Sequence, residues 1–109
     1  MDKIDEIKIN DLRALCRDDK IKFTLHALKR IRERKISSDK IIDAILSGEI
    51  IEQYQNDKYF PSCLIFNNNY NEPIHVVSGI GSGKVYIITA YNPTLNEWES
   101  DFKIRKENK

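Results

Sequence analysis

From Glu49 the hydrophobic period of this chain changes from about 3.6 to 2, and that change limits the folds open to it. Before Gly48 apolar residues recur at helical spacing; after Glu49 they alternate with period two. Residues 3–17 set Ile4, Ile7, Leu12, Leu15 and Cys16 on one face, which predicts an amphipathic first helix broken by Arg17-Asp18-Asp19-Lys20. Ile21, Phe23 and Leu25 then alternate briefly. Thr24 offers an N-cap to a second helix, expected to end near Lys35-Ile36 because Ser37, Ser38 and Asp39 look like the cap and first turn of a third. Ile41, Ile42, Ile45 and Leu46 give the third helix its apolar face, and Gly48 is expected to stop it in the left-handed conformation.

Beyond Glu49 the pattern predicts strands over 50–54, 62–66, 74–78 and 84–91. A polar turn around Asn56-Asp57-Lys58, an Asn-rich loop from Asn67 to Pro73, and Gly79-Ile80-Gly81-Ser82-Gly83 separate them. The glycine-rich segment invites a phosphate-loop reading, but such a loop needs a helix after it, and here a strand follows. A hairpin turn is the better reading. Pro93 ends the fourth strand, and Trp98 and Phe102 read as residues of a short helix or irregular tail that seals the end of the sheet. Helices first and a meander second predict an α+β fold, with N-terminal helices packed on one face of a four-stranded antiparallel sheet. At 109 residues, with no repeat and no linker, the expectation is a single domain over 1–109.

The net charge of +1 hides an uneven distribution. Over residues 20–40 eight lysines and arginines face only Glu33 and Asp39. Over 41–101 eight acids face only Lys58 and Lys84, and the tail 102–109 is basic again. A basic helix and tail against an acidic middle can steer an anion locally, and they can equally be a charged solvent face. No apolar run approaches the ~18 residues of a membrane span, and the start lacks the pattern of a secretory signal. Cys16 and Cys63 are isolated from one another, so reduced thiols in a cytoplasmic protein are expected. His26 and His75 are the only imidazoles and no carboxylates pair at ligand spacing, so neither a metal nor a cofactor is expected.

The second helix carries the most suggestive side chains. Advancing ~100° per residue from His26 puts Arg30 and Glu33 within about 40° of it and Arg34 within about 80°. Ala27, Leu28, Ile31 and Leu25 fall on the opposite arc, which is expected to dock on the core. A titratable imidazole beside fixed guanidiniums suits phosphodiester chemistry. His75, between apolar strand residues, reads on pattern as a hydrogen-bonded structural histidine sharing a face with Val77. Thr89 and Tyr91 share a face of the last strand, as polar groups where packing favours apolar ones. Arg105 can pair with Asp101 at i, i+4 or reach a phosphate.

Taken in order, the segments Leu25-His26-Ala27-x-x-Arg30-x-x-Glu33-Arg34-x-Ile36-Ser37, Gly48-Glu49-Ile50-Ile51-Glu52-x-Tyr54, Pro61-Ser62-Cys63-Leu64, His75-Val76-Val77, Ile88-Thr89-Ala90-Tyr91-x-Pro93 and Trp98-Glu99-x-Asp101 resemble a small prokaryotic family described as a domain of unknown function. That family is grouped with RelE-like and barnase-like toxins, and the resemblance covers roughly residues 20–105. Lys35 stands where the pattern usually has Gly, and the loop 67–71 is longer and more polar than expected.

The resemblance implies a RelE-like or barnase-like fold and a type II toxin that acts as an mRNA-cleaving, metal-independent endoribonuclease. Its partners would be RNA and a cognate antitoxin protein, with no membrane. In such a site a 2′-hydroxyl attacks its own phosphate, so a base, an acid and cations are needed. The residues at matching positions place His26, Arg30, His75 and Tyr91 in the catalytic set and Arg34 and Thr89 in substrate binding, with Arg105 added as a phosphate contact. A second reading, from a different class, is a non-catalytic module that holds RNA or an acidic protein on the basic helix 24–35. A third leaves the helix in solvent and gives the protein only partner contacts.

Overall fold

The computed structural model describes residues 6–56, 60–69 and 71–107. Within them the chain runs α1 (Ile9–Arg17), β1 (Ile21–Phe23), α2 (Leu25–Arg34), α3 (Ser38–Ser47), β2 (Glu49–Tyr54), β3 (Ser62–Asn67), β4 (Ile74–Gly81) and β5 (Lys84–Tyr91). The α+β class holds. The sheet, however, is five-stranded and mixed rather than four-stranded and antiparallel, in the order β1-β5-β4-β3-β2. The added strand is the Ile21–Phe23 alternation. It pairs parallel to β5, Ile21 against Val85 and Phe23 against Ile87, and the Thr24 N–H extends the ladder to the Ile87 carbonyl at 3.1 Å.

The helix ends follow local chemistry. Thr24 caps α2 by accepting from the Ala27 N–H at 3.0 Å, and Ser37 caps α3 by accepting from Lys40 at 3.2 Å. Lys35 closes α2 in the left-handed conformation, φ 59° and ψ 40°. Its N–H donates to Arg32 and that of Ile36 to Ile31, at 3.2 and 2.9 Å, while the Ile31 and Ile36 side chains are both buried. This is the paired-bond helix stop that usually employs glycine.

Gly48 ends α3 differently from the expectation. Its φ of −94° is ordinary extended backbone. Glycine is required there by space, since a Cβ would lie 2.5 Å from the Phe66 carbonyl oxygen and would also strike that of Ala44. The first helix is shorter than the 3–17 expectation: Lys8 is extended, and the chain before it is tied to β2 at Ile7. Both its backbone groups bond the Gln53 side-chain amide, at 3.1 and 2.8 Å. Ile4, the Asp57-Lys58 part of the polar turn and Tyr70 of the Asn-rich loop lie outside the described residues.

One sheet face carries the main core. Leu12, Ala27, Ile31, Ile41, Ala44 and Ile45 from the helices meet Cys63, Ile65, Ile74, Val76, Val85, Ile87 and Ala90. The docking arc of α2 is narrower than expected: Leu25 is 86% exposed and Leu28 45% exposed, leaving Ala27 and Ile31 to make the contact. Ser82 and Gly83, both at positive φ (51° and 74°), form the two-residue turn between β4 and β5, so the glycine-rich segment is a hairpin. Burial pushes the Cys63 thiol up to about 12, and Cys16 and Cys63 are both free. No helix among the described residues is long and apolar enough to cross a membrane.

Candidate functional site

The sheet's other face is organised by two irregularities in register. Ile51 is an extra residue in β2, between the Ile50–Ile65 and Glu52–Leu64 pairs, and Ile88 is an extra residue in β5, between the Ile87–Ser78 and Thr89–Val77 pairs. Each bulge absorbs one member of an isoleucine doublet and restores the alternation beyond it. Three cross-strand rows result. Glu49, Phe66, His75 and Tyr91 form one; Glu52, Leu64, Val77 and Thr89 the next; Tyr54, Ser62, Gly79 and Tyr86 the third. Gly79 leaves room for Phe60, whose ring would lie 2.6 Å from a Cβ there and which packs 5.2 Å from the Tyr86 ring.

The tail beyond Pro93 folds over the first row. Trp98 bridges to Arg105, and its ring meets the His75 ring edge-on at 4.5 Å. Of the two expectations, the irregular tail holds and the short helix does not. Phe102 adopts φ 59°, a conformation bulky residues seldom take, and the turn it makes brings its carbonyl 2.7 Å from His75 Nε2. A carbonyl only accepts, so Nε2 carries the proton. Nδ1 is therefore bare and accepts from the Tyr91 hydroxyl at 3.3 Å. His75 is fully buried, and burial pushes its pKa below the ordinary value despite the Phe102 carbonyl and Glu52 pulling the other way. The pattern-based reading of a structural histidine describes it well.

Arg105 is held by a carboxylate, and the expected i, i+4 partner is not that carboxylate. Its Nε and Nη2 donate to the two Glu52 oxygens at 2.9 and 3.0 Å, while Nη2 also reaches Tyr54 Oη at 3.3 Å. Asp101 instead accepts from the Lys103 and Ile104 N–H groups, turning the tail. The Arg105 guanidinium lies over the Trp98 ring at 4.6 Å, and Tyr54 donates to Glu52 at 2.5 Å. Burial alone would raise the Glu52 carboxyl, but hydrogen bonds from Arg105 and Tyr54 hold it below the usual carboxylate range. Glu52 and Tyr54 were not singled out by chemistry in the sequence. The Ile50-Ile51 doublet before Glu52 was the available signal.

Across the sheet, Arg34 anchors α2 to β5. Its Nη1 donates to Thr89 Oγ1 at 3.2 Å and to the Ala90 carbonyl at 2.8 Å. Tyr91 follows on the same face as Thr89. Burial pushes the Tyr91 hydroxyl up; the charges of Arg105 and Arg34 oppose that rise, and Glu52 and Glu97 reinforce it. Arg34–Thr89 and Tyr91–His75 are thus two hydrogen-bonded pairs on neighbouring rows of one sheet face. Arg30 and His26 sit one and two turns earlier on the same stripe of α2. Arg30 is half-buried and pairs with Glu33 at 3.0 Å, whereas His26 is exposed with no partner among the described residues. Also among the described residues, no group of His, Cys, Asp and Glu side chains comes together in a way that could hold a metal ion.

A family model described as a domain of unknown function (DUF4258) matches residues 23–92, from the end of β1 to just past β5. Searches of curated proteins and of solved structures returned no match.

Proposed function

The chain belongs to this domain-of-unknown-function family, and we propose that it is a RelE-like or barnase-like toxin cleaving RNA without a metal, neutralised by a cognate antitoxin. The observation that carries the reading is the seam between α2 and β5. There Arg34 is held by Thr89 and Ala90 beside Tyr91, in line with Arg30 and the unpartnered His26. In this reading Arg30 and Arg34 bind the non-bridging phosphate oxygens and stabilise the phosphorane charge. His26 takes the 2′-hydroxyl proton as the 2′-oxygen bonds to phosphorus. It returns that proton to the 5′-oxygen as the P–O5′ bond breaks, leaving a 2′,3′-cyclic phosphate. Tyr91 donates its own proton inward to His75, so its oxygen is left to accept from the substrate. His75 is a positioning residue here, and Arg105 acts through the tail rather than on phosphate.

The test is cleavage of mixed RNA by purified protein in excess chelator, beside His26→Gln and Arg30→Ala. Cyclic-phosphate ends are expected, with a loss of roughly 100-fold or more for His26→Gln and at least about tenfold for Arg30→Ala. Intact RNA from folded wild-type protein, with and without ribosomes, would overturn the catalytic reading. A second reading, an RNA- or protein-binding module on α2, is favoured by the burial of His75, which leaves one accessible imidazole. Under it, Arg30→Ala weakens binding while His26→Gln changes little.

A further inference from the structure

The middle row of this sheet face leads away from Arg34 to a depression that the cleavage chemistry does not use. It measures about 550 Å³ and is lined by Gln53, Tyr54, Gln55, Asn56 and Val77. Val77 pairs with Thr89 on one side and with Leu64 on the other, so the depression continues the row on which Arg34 is fastened. Its wall is an aromatic ring held from two directions, because the Tyr54 hydroxyl donates to Glu52 and accepts from Arg105. Val77 adds an aliphatic surface and Asn56 an exposed amide.

A fixed aromatic face, an apolar surface and an exposed amide are groups that hold a flat, polar-edged heterocycle. Arg34, fastened to Thr89 on the same row, supplies charge for a phosphate chain leading to it. We propose that this depression is a nucleobase subsite: single-stranded RNA crosses the β-strands, with a phosphate at Arg34 and a base further along the same RNA strand stacked on Tyr54. This deepens the ribonuclease reading and rests on it for the placement of the phosphate. A pinned ring loses little freedom when a base stacks on it, which favours stacking over a mobile rim aromatic.

The experiment compares binding of two uncleavable 2′-deoxy tetranucleotides of equal charge, one with bases and one abasic, by fluorescence anisotropy. Wild-type protein is expected to prefer the base-bearing probe by roughly 5- to 100-fold, the range for one stacked base. Tyr54→Phe should keep most of that preference. Tyr54→Leu should abolish it while leaving the weaker, salt-dependent binding common to both probes. Val77→Gln, which fills the depression without touching Tyr54, should do the same, and a circular dichroism melt confirms that each variant is folded. Equal binding of both probes by wild type would overturn the subsite while leaving phosphate binding at α2 intact. Binding of neither probe would overturn the subsite and the RNA reading together. A preference that survives in both folded variants would place the base elsewhere.

Discussion

Replacing His75 with phenylalanine tests the reading of the tail and its buried imidazole together. Phenylalanine keeps a ring among Phe66, Tyr91 and Trp98, so the packing loss is small. What disappears are the donor to the Phe102 carbonyl and the acceptor for the Tyr91 hydroxyl. An orphaned buried partner costs ~1–3 kcal/mol, and the half-buried Tyr91 hydroxyl recovers part of its share from water. About 2–4 kcal/mol is expected in total, a fall in Tm on the order of 10–20 °C for a domain this size.

The pH dependence is the sharper signature. In the folded protein the His75 pKa lies below its ordinary value, so in mild acid the unfolded chain binds a proton that the native state refuses. Stability is therefore fully present above the unfolded pKa of ~6.5 and falls below it with a slope of up to about 1.4 kcal/mol per pH unit, until the folded pKa is reached. Glu52, held low, adds its own loss only near and below the ordinary carboxylate range. Urea titrations followed by the lone Trp98 at pH 7.5, 6.5 and 5.5 read both effects. Wild type should lose up to about 1.4 kcal/mol from pH 7.5 to 5.5, and His75→Phe should show a flatter profile. A flat wild-type profile, or an equal slope in the variant, would refute the assignment of a neutral, doubly bonded imidazole.

Lys35→Gly relieves a left-handed residue, worth ~1–2 kcal/mol, against a larger unfolded-state entropy, so a net gain of about 0.5–1 kcal/mol in urea denaturation is expected. Destabilisation would mean that the Lys35 side chain contributes something the helix stop does not explain. Arg105→Gln removes a two-point bond to Glu52 that is largely solvent-screened on the arginine side, so only ~1 kcal/mol is expected from global unfolding. Trypsin should nevertheless cut at Lys103 and Lys106 several times faster in this variant, and unchanged cleavage would show that Trp98 alone holds the tail.

Much of the architecture was legible because it is written in local chemistry. Thr24 and Ser37 announce their helices by capping them, and the alternation from Glu49 onward marks the strands of the meander. Thr89 and Tyr91 could be placed on one face because period two holds from Thr89 to Tyr91. What escaped was set by distant groups. Three residues of alternation at Ile21–Phe23 are too few to declare a strand, and the partner that makes them one is Val85–Ile87. Gly48 reads in sequence as a left-handed helix stop, whereas the reason for glycine is the carbonyl of Phe66, on another strand. Arg105 had a nearer carboxylate in sequence, yet Asp101 was already committed to backbone N–H groups and Glu52 lay across the sheet face. Leu25 and Leu28 fell on a formally apolar arc whose breadth only the packing of β5 decides. The family resemblance supplied the residues of the seam, and geometry then divided them between solvent-facing and buried roles.

The parallel pairing of β1 with β5 also orders the assembly of the molecule in time. The β4–β5 hairpin closes over a two-residue turn, whereas β1 must wait for the strand it joins, the last of the described strands. Contacts of such sequence separation form late, after the local ones have reduced the cost of loop closure. The helix that follows β1 inherits that delay, since Thr24 and Arg34 fasten both of its ends to β5. A chain emerging from its N-terminus therefore displays the basic stripe early as an unanchored segment. It gathers His26, Arg30 and Arg34 against Tyr91 only once the final strand is available, so loss of β5 would scatter the site while leaving every residue of α2 in place.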